Sequence, residues 1–528
     1  MKNMSRKKRF FMGAALIGGV NVILRCVAVS FNAYVSAKVG PEGMGLLTLV
    51  MSVFGMSVTI ATSGINLASM RLTAEKLASL SDKGAAACEY RKTVRSVMLN
   101  CCTYALLFGV ATAIVVFSFS EFIGNSLLGD GKTVTSIKVF ALSLPAIAVS
   151  SAVSGYFTGV RKVHKNAASS IIEQGVKIIL TSSALTLGAV TVTDSIEYSC
   201  IAVVGGGAVA EGFSLAVNFI MYIFDSHRPS GTVTTKVGTT ANKTKFSEVG
   251  KVALPIAFGA YARQGLSTAE HLFIPRGMRM SGMGGATSLA SYGVLQGMVF
   301  PLILFPSSVL SSAANLLIPE LAECKSLNNT ERIRSIVTLV FKWAVVFSVG
   351  CAAVFYAFSD FLGMSVYGNA DAARYIKICS FLVPVMYFDM TVDCMLKGLG
   401  EQVHSMRINI IDSALSLFLA IVLVPTFGIS GYVFSVYVCE CLNCLLSVLK
   451  LKRVTGKTLE IKKCFIPAII CACIAIIPCS ELPAHLGITT YSYFRMVLCT
   501  LIYLSAFYFI GVANKKKLPN TVENRGKG

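Results

Sequence analysis

Charge is scarce in this sequence. Only 14% of its 528 residues are Asp, Glu, Lys or Arg, against 54% that are hydrophobic, whereas a soluble domain is about one-quarter charged. That shortage excludes a soluble enzyme and leaves a polytopic membrane protein. Histidine is scarcer still. The five His residues are scattered and join no cysteine group, so a zinc site lacks its usual ligands. Nucleotide motifs are missing too: Gly131-Lys132-Thr133 ends like a P-loop, but Ser126 stands where the first glycine belongs. No nucleophile and base are placed for hydrolysis, so neither an enzyme nor a cofactor is expected.

What the chain has in plenty is apolar runs. Windows of roughly twenty apolar residues give about fourteen spans. Six come first: Phe10–Val39, Met44–Met70, Tyr90–Phe119, Val134–Tyr156, Ala167–Val190 and Tyr198–Phe224. Six more follow: Val252–Ile274, Leu289–Ile318, Ser335–Phe358, Ala372–Leu396, Ser405–Val424 and Gly428–Leu449, and Ile461–Pro478 and Tyr491–Val512 close the chain. The spacing predicts a six-helix lobe over 1–224, a polar linker over 225–250, a second six-helix lobe over 251–450, and two added helices with a tail over 451–528. Most of the seventeen cysteines fall inside these spans, where they act as small apolar residues. Cys101-Cys102 and Cys439-x-Cys441-x-x-Cys444 are the best candidates for anything more.

The net charge of +21 does not gather on one face as in a nucleic-acid binder. Lys and Arg occupy alternate connections instead, such as Arg71 to Arg95, Arg161 to Lys165, Arg228 to Lys245 and Lys450 to Lys463. The other loops hold little beyond Lys132, Arg276 and Arg279. By the positive-inside rule both termini are cytoplasmic. Arg6-Lys7-Lys8-Arg9 before the first span imitates a signal peptide, but the apolar stretch is too long, so the helix is expected to stay uncleaved.

An internal repeat joins the halves. Pro145 and Pro384, Gly159 and Gly398, and Glu173 and Asp412 are each 239 positions apart. At an offset of 238, Arg25 falls on Arg263 and Asn32 on Glu270. Two six-span halves of the same topology are related by an axis along the membrane normal, an arrangement that holds substrate between repeats.

Arg25 lies mid-way along the first span, where its charge costs roughly 3 to above 10 kcal/mol unless it faces a wet cavity or a partner. With Arg263 it suits a phosphate or diphosphate, which accepts bidentate hydrogen bonds. Alternatively each arginine merely ties helices together, Glu270 being about 10 Å along the same face from Arg263. Glu173 with Gln174, and Asp412 with Asn409, form oxygen-rich places near the cytoplasmic ends of the fifth and eleventh spans. Such places could take a cation or a sugar hydroxyl, or salt-bridge to Arg161 or Arg407. Asp389 and Asp393 share a helix face one turn apart; Asp393 has Lys397 one turn on, which leaves Asp389 as the better ion or proton candidate.

Several stretches resemble a known family. They are Ser63-Gly-Ile-Asn-Leu-Ala-Ser-Met-Arg71, Gly155-Tyr-Phe-x-Gly159 leading to Ile172-Glu173-Gln174, Phe305-Pro-Ser-Ser-Val-Leu with Ile318-Pro-Glu-Leu-Ala-Glu323, and Val424-Pro-Thr-Phe-Gly-Ile-Ser-Gly431. They are similar to the stage V sporulation protein B family. That is the oligosaccharide-flippase branch of the multidrug/oligosaccharidyl-lipid/polysaccharide exporter superfamily, near the lipid II flippase MurJ.

The resemblance implies a two-lobed bundle in the bacterial cell membrane. It implies movement of an undecaprenyl-diphosphate-linked saccharide, a peptidoglycan precursor, from inner to outer leaflet. Central arginines would engage the diphosphate, Arg25 at the first-helix position, and the last two helices would form a groove for the lipid tail. A sodium site in that branch points to Glu270, Asn409 and Asp412, whose spacing does not match it cleanly; sodium and protons both stay open as coupling ions. Outward transfer of a diphosphate gains up to about 2.3 kcal/mol per charge per 100 mV, so the potential alone can drive it. The expected partners are a lipid-linked oligosaccharide, membrane lipids and cell-wall synthesis enzymes, with no nucleic acid. The rival readings are a cation-coupled drug exporter of the same superfamily and a non-transporting membrane scaffold.

Overall fold

A computed structural model describes residues 6–82, 87–191, 196–226, 246–456, 461–480 and 494–505. The expected linker is outside this set over 227–245, as is much of the last span. The described chain is helical: α1 (Arg6–Thr62), α2 (Ile65–Asp82), α3 (Ala87–Ser118), α4 (Thr133–Ala141), α5 (Leu144–Gly159), α6 (Val163–Thr191), α7 (Ile196–Ser226), α8 (Phe246–Met280) and α9 (Gly285–Tyr292). It continues with α10 (Phe300–Leu304), α11 (Ser307–Ser326), α12 (Thr330–Ala357), α13 (Ser359–Tyr367), α14 (Ala370–Cys379), α15 (Val383–Gly398), α16 (Gln402–Thr455), α17 (Ile461–Ser480) and α18 (Phe494–Ser505). Among the described residues, seven helical runs are long and apolar enough to cross a membrane, or eight with α14–α15, which bends by 57°.

Of the helices in those runs, α16 contains two of the expected spans, and α1 contains one and most of the next. At 57 and 54 residues, α1 and α16 would each reach about 80 Å if straight, more than twice the roughly 30 Å of a bilayer core. Each breaks at a glycine with positive φ, Gly40 at 74° and Gly428 at 58°, a backbone that a side chain resists. By contrast, α6 and α8 are 29 and 35 residues long but fall outside the apolar set. Their interiors carry Glu173, Lys177, Arg263 and Glu270.

The chain packs as two compact units, Met1–Gly297 with Asn409–Val436, and Met298–Ile408 with Tyr437–Gly528. These boundaries cut across the sequence halves. In the first unit, α5 lies against α2 so closely that a Cβ at Gly155 would meet the Asn66 carbonyl, and one at Gly159 would sit 2.7 Å from the Met70 carbonyl. Asn66 and Ser69 donate to the Ser151 and Ala152 carbonyls, 3.0 and 2.8 Å. In the second unit α15 stands on α11 in the same way, with Gly398 facing Ile318 and Leu321. Both α5 and α15 have 16 residues and carry a proline in the first turn. The bounds of α15 are those of α5 moved by 239 positions, so the repeat read from isolated residues is a repeat of helices.

Candidate functional site

The first unit holds most of the membrane-embedded charge. On α1, Arg25 is exposed. Its neighbours Cys26 and Val27 line an open cavity of about 440 Å³ with Ser30, Phe31 and Tyr34 of α1 and Ile178 and Ser182 of α6. Among the described residues no acid forms an ion pair with Arg25. An exposed arginine mid-way along a membrane helix is tolerable where it meets water or an anion.

Asn32, two turns further along α1, is tied down. Its amide donates to the Gly297 carbonyl at 2.8 Å. That carbonyl belongs to a π-helical turn, Gly293–Val299, and the bond gives Asn32 a packing role. Nearby, Gly293 meets the backbone of Pro41 and Gly45 so closely that neither glycine has room for a side chain.

Arg263 is likewise exposed, on α8, and makes no ion pair among the described residues. Glu270 is not its partner. Seven residues separate them along α8, and Glu270 turns inward, 8% exposed, to accept a 2.6 Å hydrogen bond from Ser416 of α16. The acid within electrostatic reach of Arg263 is Asp412, one turn before Ser416. Of the two alternatives for Asp412, the salt bridge to Arg407 is not formed among the described residues. Asp412 is half-buried and its Oδ1 has no hydrogen-bond partner, while Asn409 is half-buried on the preceding turn. Glu270 with Ser416, and Arg263 with Asp412, thus link α8 to α16, with Asn409 on the turn before Asp412. Beside them, His271 Nδ1 and the Tyr292 hydroxyl are 3.1 Å apart.

Glu173 is half-buried on α6 and borders two cavities together with Glu211 of α7. Lys177, one turn along α6, lines one of them. Among the described residues Glu173 forms no ion pair with Arg161, which is exposed in the turn before α6 at φ 61°. Gln174 is half-buried and borders neither cavity. In the second unit Asp389 is half-buried on α15 within electrostatic reach of Cys444. Asp393 pairs with Lys397 at 2.6 Å, as expected, and also accepts from Ser405. The ion candidates Asp389 and Asp412 therefore belong to different units. Among the described residues no group of three or more His, Cys, Asp or Glu could hold a metal.

Three features escaped sequence reading. Glu211 and Lys177 are single charges inside apolar spans, the signal that marked Arg25, and the same test would have found them. Asp225 ends α7 and accepts from Lys162 and Lys165, each at 2.7 Å, and from the Tyr156 hydroxyl at 3.1 Å. Arg276 donates to the Leu127 carbonyl at 2.5 Å and to that of Ser126, which belong to the last turn of a short π-helix, Phe122–Leu128. A cation there satisfies carbonyls left open at a helix end. Neither arrangement leaves a periodic trace.

A bundle made of a repeated set of membrane helices, with a few charges inside α1, α6, α7, α8, α15 and α16, has the build of a transporter. Comparisons with known proteins agree. The model of a polysaccharide biosynthesis protein family matches residues 11–251, and that of the MatE family matches 277–422. The chain is 21% identical to stage V sporulation protein B of Bacillus subtilis (strain 168) over 463 residues, 87% of this chain and 86% of that one. Its fold is similar to that of the lipid II flippase MurJ in an inward closed conformation, with TM-score 0.69, 14% identity, and 95% of this chain and 100% of that chain covered. It is also similar to an inward-facing multidrug resistance MATE family transporter of the MOP superfamily, with TM-score 0.64, 14% identity, and 82% and 98% covered. The two family models, the likeness to stage V sporulation protein B and the shared fold all fit a superfamily of membrane transporters and flippases.

Proposed function

We propose that the protein is a flippase that carries an undecaprenyl-diphosphate-linked saccharide of the lipid II type from the inner to the outer leaflet of a bacterial cell membrane. Arg25 and Arg263 hold the diphosphate while the two repeats rock about it, and both termini stay in the cytoplasm. The observation that carries this reading is the exposure of two mid-helix arginines that form no ion pair among the described residues. A guanidinium so placed is a ready bidentate donor for an oxyanion. The relatives support a lipid-linked cargo: one is a lipid II flippase and another belongs to polysaccharide biosynthesis.

Asp412 and Asn409, beside Glu270 on the α8–α16 seam, are the place for a coupling ion, Na⁺ or H⁺. Asp389 is a second acid for that role in the other unit. A cation-coupled drug exporter is the alternative, favoured by these membrane acids and by the MATE likeness. Translocation of a fluorescent undecaprenyl-diphosphate saccharide in proteoliposomes separates the two. Arg25→Ala and Arg263→Ala are each expected to lower the rate at least tenfold while the protein still folds and inserts. Unchanged translocation by either well-folded variant removes that arginine from the diphosphate site.

A further inference from the structure

The four helices α2, α5, α6 and α7 enclose an open cavity of about 220 Å³ whose wall is polar to an unusual degree for the inside of a membrane bundle. Ser150, Ser154, Ser169 and Ser214 contribute hydroxyls, and Glu173 and Glu211 contribute carboxyls. Most of its groups satisfy one another. Asn66 and Asn166 donate to the Ser151 and Ser154 carbonyls, each at 3.0 Å, and Ser169 and Ser214 share a hydrogen bond of 3.1 Å. Two atoms stay open. The Asn218 amide donates to the Ser150 hydroxyl at 3.0 Å, yet its carbonyl oxygen is buried with no hydrogen-bond partner, and the side chain is 4% exposed. The Asn166 carbonyl oxygen is in the same condition.

A buried polar atom without a partner is costly and calls for an explanation. Here both open atoms are acceptors, and the acids beside them add further acceptors. The missing partner is therefore a donor. A bare cation fits less well than a polyol, for two reasons. The space far exceeds the ~10–15 Å³ that a single water occupies. Lys177 stands with Glu173 and Glu211 in the adjoining cavity and lies within electrostatic reach of Glu211. Hydroxyls that both donate and accept match a wall of serines, amide oxygens and carboxyls.

We propose that this cavity is a saccharide subsite, in which Glu211, Asn218 and Asn166 accept hydrogen bonds from sugar hydroxyl or acetamido groups. The proposal rests on the flippase reading and adds to it the place where the head group is read. Both cavities are lined in part by α6. Facing the polar cavity, α6 presents Glu173; facing the cavity beside Arg25, it presents Ile178 and Ser182. The five-residue step from Glu173 to Ile178 rises about 7.5 Å and turns about 140°, so the two cavities lie on different faces of α6.

The test compares two lipids on the purified full-length protein in nanodiscs: bare undecaprenyl diphosphate, and the same lipid bearing N-acetylglucosamine. Wild type is expected to bind the sugar-bearing lipid about tenfold more tightly or better, a difference of about 1.4 kcal/mol. Glu211→Gln and the milder Ser214→Ala should shrink that ratio toward one while leaving affinity for the bare diphosphate unchanged. Equal affinity of wild type for both lipids overturns the subsite and leaves the diphosphate reading standing. So does an equal loss for both lipids in each variant. Binding of neither lipid removes the flippase reading itself. Sodium-dependent thermal stabilisation that Glu211→Gln abolishes, with no preference for the sugar, makes the cavity a cation site and also overturns the proposal.

Discussion

The bond from Ser416 to Glu270 is the most informative single contact on the α8–α16 seam. The two side chains are 9% and 8% exposed, and their oxygens are 2.6 Å apart. Ser416→Ala removes the donor and leaves a carboxyl oxygen buried without it, at a cost of about 1–3 kcal/mol. A double-mutant cycle isolates the pair. In a Glu270→Leu background the Ser416→Ala change should cost no more than ~0.5 kcal/mol, because no acceptor remains. The pair's interaction energy also reports charge. Hydrogen bonds to an ionised group contribute about 1.5–3 kcal/mol and neutral ones about 0.5–1.5, so an intermediate effect in a Glu270→Gln background identifies a carboxylate in wild type. Reversible unfolding in mixed detergent micelles supplies the energies. An interaction energy within ~0.3–0.5 kcal/mol of zero would refute the reasoning that this hydrogen bond joins α8 to α16.

Other perturbations have equally definite outcomes. Gly155→Ala places a methyl against the Asn66 carbonyl and 2.9 Å from Ser69 Cβ, while at Gly398 of α15 the nearest atoms are 3.1 Å away. Gly155→Ala should therefore lower thermal stability by about 1–3 kcal/mol and Gly398→Ala by less; equal losses would contradict the packing. Asp225→Ala strands Lys162 and Lys165, whose side chains are 27% and 19% exposed. The loss should be about 1–3 kcal/mol, less than for a fully buried pair because the lysine ends reach water, and Lys162→Ala should cost less since Lys165 keeps Asp225 paired. Glu401 lies before α16 with its carboxyl 3.0 Å from the Lys450 ammonium. The hydrogen bond to that ammonium holds the acid below its ordinary value of 4.5. Its contribution, under about 1 kcal/mol for so open a pair, is present above that value and fades as pH falls through the lower folded one. The stability gap between wild type and Glu401→Gln should accordingly close on acidification, and a gap that widens contradicts the pairing.

How much of this was legible in the sequence depends on the range of the interaction involved. Spans were legible because burial in lipid demands apolarity residue by residue. The repeat was legible from Pro145 and Pro384, since a proline opening a helix fixes where it begins, and α5 and α15 begin and end in register. Motifs that marked the family turn out to be packing devices. Ser63 and Gly64 adopt positive φ between α1 and α2. Gly64 lets the Ala253 carbonyl of α8 come within 2.6 Å of where a Cβ would lie, and the Tyr261 hydroxyl donates to Ser63 Oγ at 2.7 Å. Partners were not legible. Nothing in the spacing says that Glu270 finds Ser416, 146 positions away, or that Asn32 finds the Gly297 carbonyl. Both choices are settled by how helices cross, which hydropathy does not encode. The compact units escaped for the same reason: α16 contributes residues 409–436 to the first unit and the rest of its length to the second.

The central claim is that Arg25 and Arg263 bind a lipid diphosphate. It is tested most directly by native mass spectrometry of the purified protein with undecaprenyl-diphosphate-linked sugar, comparing wild type with Arg25→Ala and Arg263→Ala. The account predicts a lipid adduct on wild type that each substitution removes. Wild type without an adduct, or variants that retain it at equal occupancy, would contradict the claim and favour the drug-exporter reading.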